Sequence, residues 1–349
     1  MATTEAKRAK LDSDTIIVTH NGTHHADEAL AVHLLRKLPQ YTSAKLQRTR
    51  DKSIIDQASI VVDVGAEYDA ARHRYDHHQR GFEETFDEEH KVKLSSAGLV
   101  WKHFGNDILA AHLKVSPSDE RIALLHRKLY DDFIEAIDGI DNGVPLFPPS
   151  AGSPAYSSKT DLSSRVGYLN PRWNENLPSS VEEREADGMK RFEKASLLAG
   201  GEFFERVDYT WEAWLPARKI IEKALLSRKE SQGGDSKGRL LIFDDYAAWK
   251  SHLFDLEKDL SIPSDEQVLY VVYPDESGKW RIQCVPESVD SFISRKPLPE
   301  PWRGVRDEAL SKLTGIAGCI FIHASGFIGG NATKEGVLQM AHAALQYQS

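Results

Sequence analysis

At 349 residues the chain is long enough for two domains, and 40% hydrophobic with 28% charged residues is the balance of an ordinary soluble globular protein, with no run approaching the roughly 20 apolar residues that span a bilayer. The formal net charge of −9 excludes a surface that draws polyanions from a distance, so a nucleic-acid substrate would need metals and a few local basic residues to hold it. Cys284 and Cys319 stand outside any CxxC pairing, which excludes a disulfide scaffold and a structural zinc ribbon and indicates a reducing compartment.

Residues 1–14 read as a polar tail without the apolar stretch of a secretory signal or the acid-poor helix of a mitochondrial presequence; Lys7-Arg8-Ala9-Lys10 within it is a basic cluster of the kind used for nuclear import. Residues 15–19 (TIIVT) are a β-branched run and predict a strand; after a short loop, Ala29, Leu30, Ala31, Val32, Leu34 and Leu35 fall at helical spacing. Residues 60–65 (IVVDVG) are continuously apolar around one aspartate, as in a strand covered on both faces of a parallel sheet. Helical patterns follow at 96–104 and 118–137, then a Pro/Ser/Gly-rich loop at 143–158, then helix over 179–230 interrupted at Pro216. Beyond Gly238 the period shortens, and 239–243, 268–273, 279–285 and 318–323 predict strands, the middle two joined by a Pro-Asp-Glu-Ser-Gly turn. The expected architecture is a doubly wound, mostly parallel α/β domain over 15–195, bearing the catalytic residues, followed by a smaller mixed α+β domain over 196–349 that begins with a helical connector.

Half of the 14 histidines lie between His20 and His78, far more than an even spread would place there. His33, His90, His103, His112, His126, His252 and His342 read as structural or surface residues. The others fall at sites of chemistry. In THNGTHHADEALA (19–31) a strand ends and a loop delivers His20, His24, His25 and Asp27 before a helix, at the strand end where open α/β sheets place their sites. Gly22 permits the turn, and the helix N-terminus favours an anion. Asp63 sits inside an apolar strand, where an unpartnered carboxylate is costly and a metal is the partner the histidines suggest. In RHRYDHHQR (72–80), Asp76, His77 and His78 are adjacent, so one imidazole can face a metal, the next a substrate, and Asp76 can orient a ring, while Arg72, Arg74 and Arg80 supply charge for phosphate oxygens. In DFIEAIDGIDNG (132–143), either Asp138 or Asp141 can complete a metal shell; Asp138 is preferred because the helix is expected to end near Gly139.

In this order the motifs resemble the DHH phosphoesterase superfamily, named for the triplet Asp76-His77-His78, and within it the MYG (melanocyte proliferating gene) family, with further likeness at 93–105, 163–174 and 318–330. The resemblance implies a dinuclear site run by Mn²⁺ or Mg²⁺, an RNA exonuclease acting from the 3′ end, and a mitochondrial location beside the nuclear or cytoplasmic one expected from the basic cluster and the cysteines. Carried over, His20 and His25 would bind one metal, Asp27, His77 and Asp138 the other, Asp63 would bridge them, and His78 would contact the scissile phosphate. SGFIGGN (325–331) resembles the superfamily's glycine-rich substrate-binding motif, giving Ser325, Gly326, Gly329, Gly330 and Asn331 that role, with Asn331 where a histidine is usual and His323 sharing the duty. Arg165 is a further expected substrate contact.

So many imidazoles suit Mn²⁺ best, with Co²⁺ and Zn²⁺ ahead of Mg²⁺. The expected activity is metal-dependent RNA hydrolysis by a two-metal-activated hydroxide, with catalytic Asp63, Asp76, His77 and His78. The alternatives are a phosphoesterase for pyrophosphate, cyclic dinucleotides or very short oligonucleotides, and a non-enzymatic metal-binding regulator. The absence of HExxH argues against a metallopeptidase. Oligomeric state stays open, and no membrane partner is expected.

Overall fold

A computed structural model describes residues 15–154 and 156–348; the basic cluster Lys7-Arg8-Ala9-Lys10 lies outside the described residues. The chain divides between Thr210 and Trp211 into two compact units. The boundary expected after residue 195 falls inside a helix. That helix runs unbroken from Val181 to Tyr209, because Phe192, Ala195, Ala199, Phe203 and Val207 keep one buried stripe at helical spacing.

Unit 1 contains, in chain order, β1 (Ile16–Thr19), α1 (Ala26–Leu35), β2 (Lys45–Arg48), α2 (Lys52–Gln57), β3 (Ile60–Val62), β4 (Tyr68–Asp69), β5 (Arg74–Tyr75), α3 (Ser96–Leu113), α4 (Glu120–Leu129), α5 (Glu135–Asp141), α6 (Leu162–Gly167) and α7 (Val181–Tyr209). Its five strands take the order β2-β1-β3-β5-β4, parallel except for the β4 edge. The apolar runs explain the centre: Ile17, Val18, Ile60, Val61 and Val62 are all fully buried. Helix α2 covers one face by setting Ile55 against Val18 and Val61. Helix α1, buried at every position but His33, packs against α3 and α7.

Between α4 and α5 the helix passes through a π turn, Tyr130–Ile134, and α5 continues to Asp141 rather than stopping near Gly139. The extra residue of a π turn rotates the downstream helix by roughly 100° relative to the upstream one, so the apolar pattern before the turn does not say which carboxylate of α5 faces the crevice.

Unit 2 contains α8 (Leu215–Ser227), β6 (Leu240–Ile242), α9 (Lys250–Asp259), β7 (Tyr270–Pro274), β8 (Trp280–Cys284), α10 (Asp307–Thr314), β9 (Cys319–Ile322), β10 (Ile328–Asn331) and α11 (Lys334–Gln346). The sheet order is β6-β7-β8-β10-β9, with β6 and β7 parallel and the remaining pairs antiparallel. Alternation along β7 sends Tyr270 and Val272 to a core with Leu310 of α10 and Met340 of α11, and Val271 and Tyr273 to a second core with Ile221 of α8 and Leu253 of α9. Both faces of the sheet are covered. No helix among the described residues is long and apolar enough to cross a membrane.

Candidate metal centre

Each ligand-bearing segment begins where a strand or helix of unit 1 ends. Past β1, Gly22 takes φ +92° and the loop descends to His25, which caps α1; its N–H donates to both carboxylate oxygens of Glu28, at 2.9 and 3.0 Å, placing two acids in the first helical turn. Asn170 secures this loop from outside, accepting from the His24 N–H (3.0 Å) and donating to the His24 carbonyl (2.8 Å). Asp63 follows β3 directly. Its φ of +55° lies in the left-handed region, which costs a non-glycine residue about 1 kcal/mol or more. Backbone strain of this kind is held only where the surroundings enforce it; here the Asp63 N–H is tied to the Tyr75 carbonyl (3.1 Å) and its Oδ1 accepts from Ser96 Oγ (3.3 Å). Asp76, His77 and His78 follow β5, and Asp141 closes α5.

These segments converge. Ligand atoms of His20, His25, Glu28 and Asp63 lie within 4.8 Å of one another, as do those of Asp63, His77 and His78, and those of His25, Asp27 and Asp141. Asp63 belongs to two of the groups. His20 Nε2 is 3.2 Å from Glu28 Oε1 and 3.2 Å from Asp63 Oδ2, and His77 Nε2 is 3.1 Å from Asp141 Oδ2 and 3.4 Å from Asp63 Oδ1. Yet His77 Nε2 makes no hydrogen bond with either, so the atoms crowd a common point without the directionality of a donor and acceptor.

The opposite edge of each ring fixes its tautomer. His20 Nδ1 donates to the Asn21 carbonyl (3.0 Å), His77 Nδ1 to Asn142 Oδ1 (3.3 Å) and His78 Nδ1 to Asp76 Oδ1 (2.7 Å). All three partners accept only, so Nδ1 carries a proton and Nε2, aimed at the cluster in His20 and His77, is the nitrogen that would offer a lone pair once a cation replaces its proton. Asn142 cannot flip, because its Nδ2 already donates to the Lys93 and Asp138 carbonyls.

Asp27 tests whether a cation fits. It is wholly buried, and among the described residues neither carboxylate oxygen has a hydrogen-bond partner. Burial first, then the charges of Asp63, Asp141 and Glu28, push its pKa well above the ordinary value. An orphaned carboxylate facing other carboxylates is what a cation site looks like before its charge is balanced. Burial alone would lower His20, but Asp63 and Glu28 outweigh it and raise the ring to about 10; His77 is likewise raised to about 10, against burial, by Asp141 and Asp63. Burial raises Asp63, and the same two imidazoles overcome it and hold the carboxyl well below its usual range. In this balance protons on imidazole stand where a metal would put positive charge.

The cluster opens into a cavity of about 900 Å³, within the range of small-molecule sites, with Arg50, Lys52, Ser163 and Ser164 on its wall.

The structure does not bring every expected residue here. Asp138, preferred as a ligand, is buried away from the cluster: it accepts from the Ser95 N–H (3.0 Å) and Oγ (2.7 Å), the Gly98 N–H (3.1 Å) and the Tyr130 hydroxyl (3.1 Å). Burial lifts it to about 7 despite those donors. Asp141, the alternate, takes the position at His77. Arg74 is buried and spends its guanidinium on the carbonyls of Arg72, Ile55 and Ala58, so it offers nothing to a phosphate. Arg165 pairs with Glu202, and its neighbours Ser163 and Ser164 line the cavity instead. Asp76 orients His78 and also accepts from the Ala66 N–H (2.6 Å).

In unit 2 the glycine motif begins in a turn and runs into strand β10 from Ile328. Asn331, expected to face a substrate, is fully buried; its Nδ2 donates to the Ala317 carbonyl (2.9 Å) and its Oδ1 accepts from the Thr333 N–H (3.0 Å), so it stitches β10 to α11. Gly329 and Gly330 are also buried: a Cβ at Gly329 would strike Ile322 at 2.3 Å and one at Gly330 the Arg281 Nη1 at 2.5 Å. Gly326 turns the chain at φ +75°. His323 and Ser325 remain exposed and hydrogen-bond each other (2.8 Å).

Sequence reasoning missed Glu28, Asn142 and Asn170. Glu28 carried a readable signal as the third helical residue after a capping His25; the two asparagines act from distant segments that nothing local marks.

A mostly parallel sheet with candidate ligands gathered at its carboxyl edge, and the Asp76-His77-His78 triplet leaving β5, define an α/β protein with a candidate metal centre at that edge. Residues 16–345 match the MYG1_exonuc family model, described as "Uncharacterised protein family (UPF0160)", and the chain belongs to that family. It is 48% identical over 329 residues to the MYG1 protein of Dictyostelium discoideum, covering 94% of this chain and 96% of the relative. It is 47% identical over 348 residues to the MYG1 exonuclease of Homo sapiens, covering 98% and 89%. Among solved structures, RecJ of Thermus thermophilus in complex with Mn²⁺ aligns with 99% of this chain and 54% of its own length, at 13% identity and a TM-score of 0.24.

Proposed function

We propose that the chain is a divalent-metal-dependent phosphodiester hydrolase, and specifically an exonuclease that degrades RNA from its 3′ end. One observation carries the reading: Asp63 is shared by two ligand groups, beside an Asp27 carboxylate that is buried without a partner. His20, His25 and Glu28 would hold one ion, Asp27, His77 and Asp141 the other, with Asp63 between them. Such a pair, when bound, lowers the pKa of a shared water toward neutrality and offsets charge on phosphoryl oxygens. The imidazole-rich set favours Mn²⁺ over Mg²⁺.

The chain's own groups do the remaining work. Asp76 fixes the His78 tautomer, leaving Nε2 on a ring whose side chain is 60% exposed, free to meet a phosphoryl oxygen or a leaving group. Arg50 and Lys52 face the cavity with charge suited to neighbouring phosphates. The exonuclease name of the human relative supports the nucleolytic part of the reading, and the family resemblance supplies RNA, polarity and a mitochondrial location, with nucleus and cytoplasm the alternatives that imaging of a tagged chain distinguishes.

End-labelled RNA and pyrophosphate, each incubated with and without Mn²⁺, test the proposal. Metal-dependent release of nucleotides from the 3′ end is expected; turnover confined to pyrophosphate would replace it with the small-molecule reading.

A further inference from the structure

The cavity at the ligand cluster does not end at its rim. His24 lines both it and a neighbouring groove of about 800 Å³, and Asn170, Asp187 and Arg191 line both that groove and a third, of about 910 Å³, which reaches Tyr168. Within unit 1 the three hollows are therefore neighbours in series, each sharing lining residues with the next, in a trench-like row from the candidate metal ligands past the Asn170–His24 clasp to the outer surface.

The charge along the outer trench is not what a net acidic protein provides by default. Of its acids, Glu175 and Asp187 are taken by Arg191 and Glu193 by Arg36, leaving Glu185 unpaired. Lys45, Arg172, Arg184, Lys190 and Lys194 line the same grooves, and among the described residues none of their side chains forms an ion pair with a carboxylate. Lys190 and Lys194 stand one turn apart on α7, where like charges repel unless an anion lies between them. Beside them two large rings face solvent: Tyr168 is 70% and Trp173 97% exposed. Trp173 stands between Arg172 and Asn174, both of which line the groove. Unpaired cations interleaved with exposed rings, in hollows that neighbour the candidate metal cavity, match the two demands of unpaired nucleic acid, phosphates at regular intervals and bases with nothing to stack on.

We propose that this trench binds the single-stranded body of a polynucleotide whose end lies at the metal ligands, with Tyr168 and Trp173 stacking bases and Lys190, Lys194 and Arg172 meeting phosphates. This rests on the nucleolytic reading and sharpens it: the enzyme prefers strands several nucleotides long to dinucleotides.

The test is steady-state hydrolysis by the Mn²⁺-loaded protein of oligoribonucleotides from about two to about twelve nucleotides, alongside anisotropy binding of the labelled longest strand. KM is expected to fall roughly tenfold or more with length while kcat changes little, and the Tyr168→Ala/Trp173→Ala variant is expected to lose most of that gain, at about tenfold per ring. Lys190→Glu/Lys194→Glu should weaken binding uniformly across sequences and flatten the salt dependence by about 0.7 for each phosphate no longer neutralised. All four positions are exposed, so folding is not at issue. A KM independent of length, a length gain intact in both variants, or preference for a duplex would overturn the trench. Binding of the long strand without cleavage would sink the nucleolytic reading and leave the trench standing; cleavage with no length dependence would do the reverse.

Discussion

His77 Nε2 and Asp141 Oδ2 lie 3.1 Å apart, joining the segment after β5 to the last turn of α5 at the wall of the cavity. Asp138, one turn earlier on that helix, turns inward to Ser95 and Gly98. The two carboxylates therefore make opposite predictions. Asp141→Asn should lower kcat by roughly a hundredfold or more with little loss of stability, because it takes the charge off a candidate ligand at a partly exposed position. Asp138→Ala should cost about 2–4 kcal/mol by stranding four donors, while bound metal at saturation stays unchanged. Metal analysis and urea unfolding of both variants decide it; a loss of metal in Asp138→Ala with wild-type stability would reverse the assignment.

Asp63 combines a shared ligand with a left-handed backbone. Asp63→Ala and Asp63→Gly should both abolish hydrolysis, since neither supplies an oxygen. Glycine relieves the φ of +55° and alanine does not, so the glycine variant should be the more stable by about 1 kcal/mol. Equal midpoints in urea would show that the backbone there carries no strain.

Burial, followed by Lys37 and Arg36, depresses His33 to about 4. The folded imidazole then stays neutral while the unfolded one takes a proton below about 6.5. Its contribution is complete above pH 6.5 and is lost as pH falls from 6.5 toward 4, on the order of 1–2 kcal/mol after solvent screening. His33→Gln should flatten that limb of the stability–pH curve, measured by urea midpoints from pH 7 to pH 4; an unchanged slope would count against a neutral His33.

Adjacent glycines in α7 should respond oppositely to alanine. At Gly200 a Cβ would lie 2.1 Å from the His33 ring, so Gly200→Ala should cost about 1–3 kcal/mol. At Gly201 nothing lies within 4 Å, and Gly201→Ala should gain up to about 1 kcal/mol from helix propensity. Thermal unfolding of the pair checks both signs at once.

What the sequence disclosed depends on where local chemistry is unambiguous. β1 and β3 are β-branched runs buried on both sides, and the candidate ligands His20, His25, Asp27, Asp63 and His77 sit at or near strand ends, which the sequence itself marks. β2 (KLQR) was not, because an edge strand exposed on one side needs no apolar run. β10 was hidden by two glycines whose missing side chains are required by Ile322 and Arg281, which no neighbouring residue announces. The choice between Asp138 and Asp141 was illegible for a third reason: a π turn breaks the helical phase from which a facing residue is inferred.

Asn170 grips both the amide and the carbonyl of His24, and that two-point hold has a mechanical meaning. The segment carrying Tyr168 and Trp173 is thereby fastened to the backbone between His20 and His25. Were a strand to occupy the proposed trench, its pull on that segment would reach the imidazoles through this one side chain.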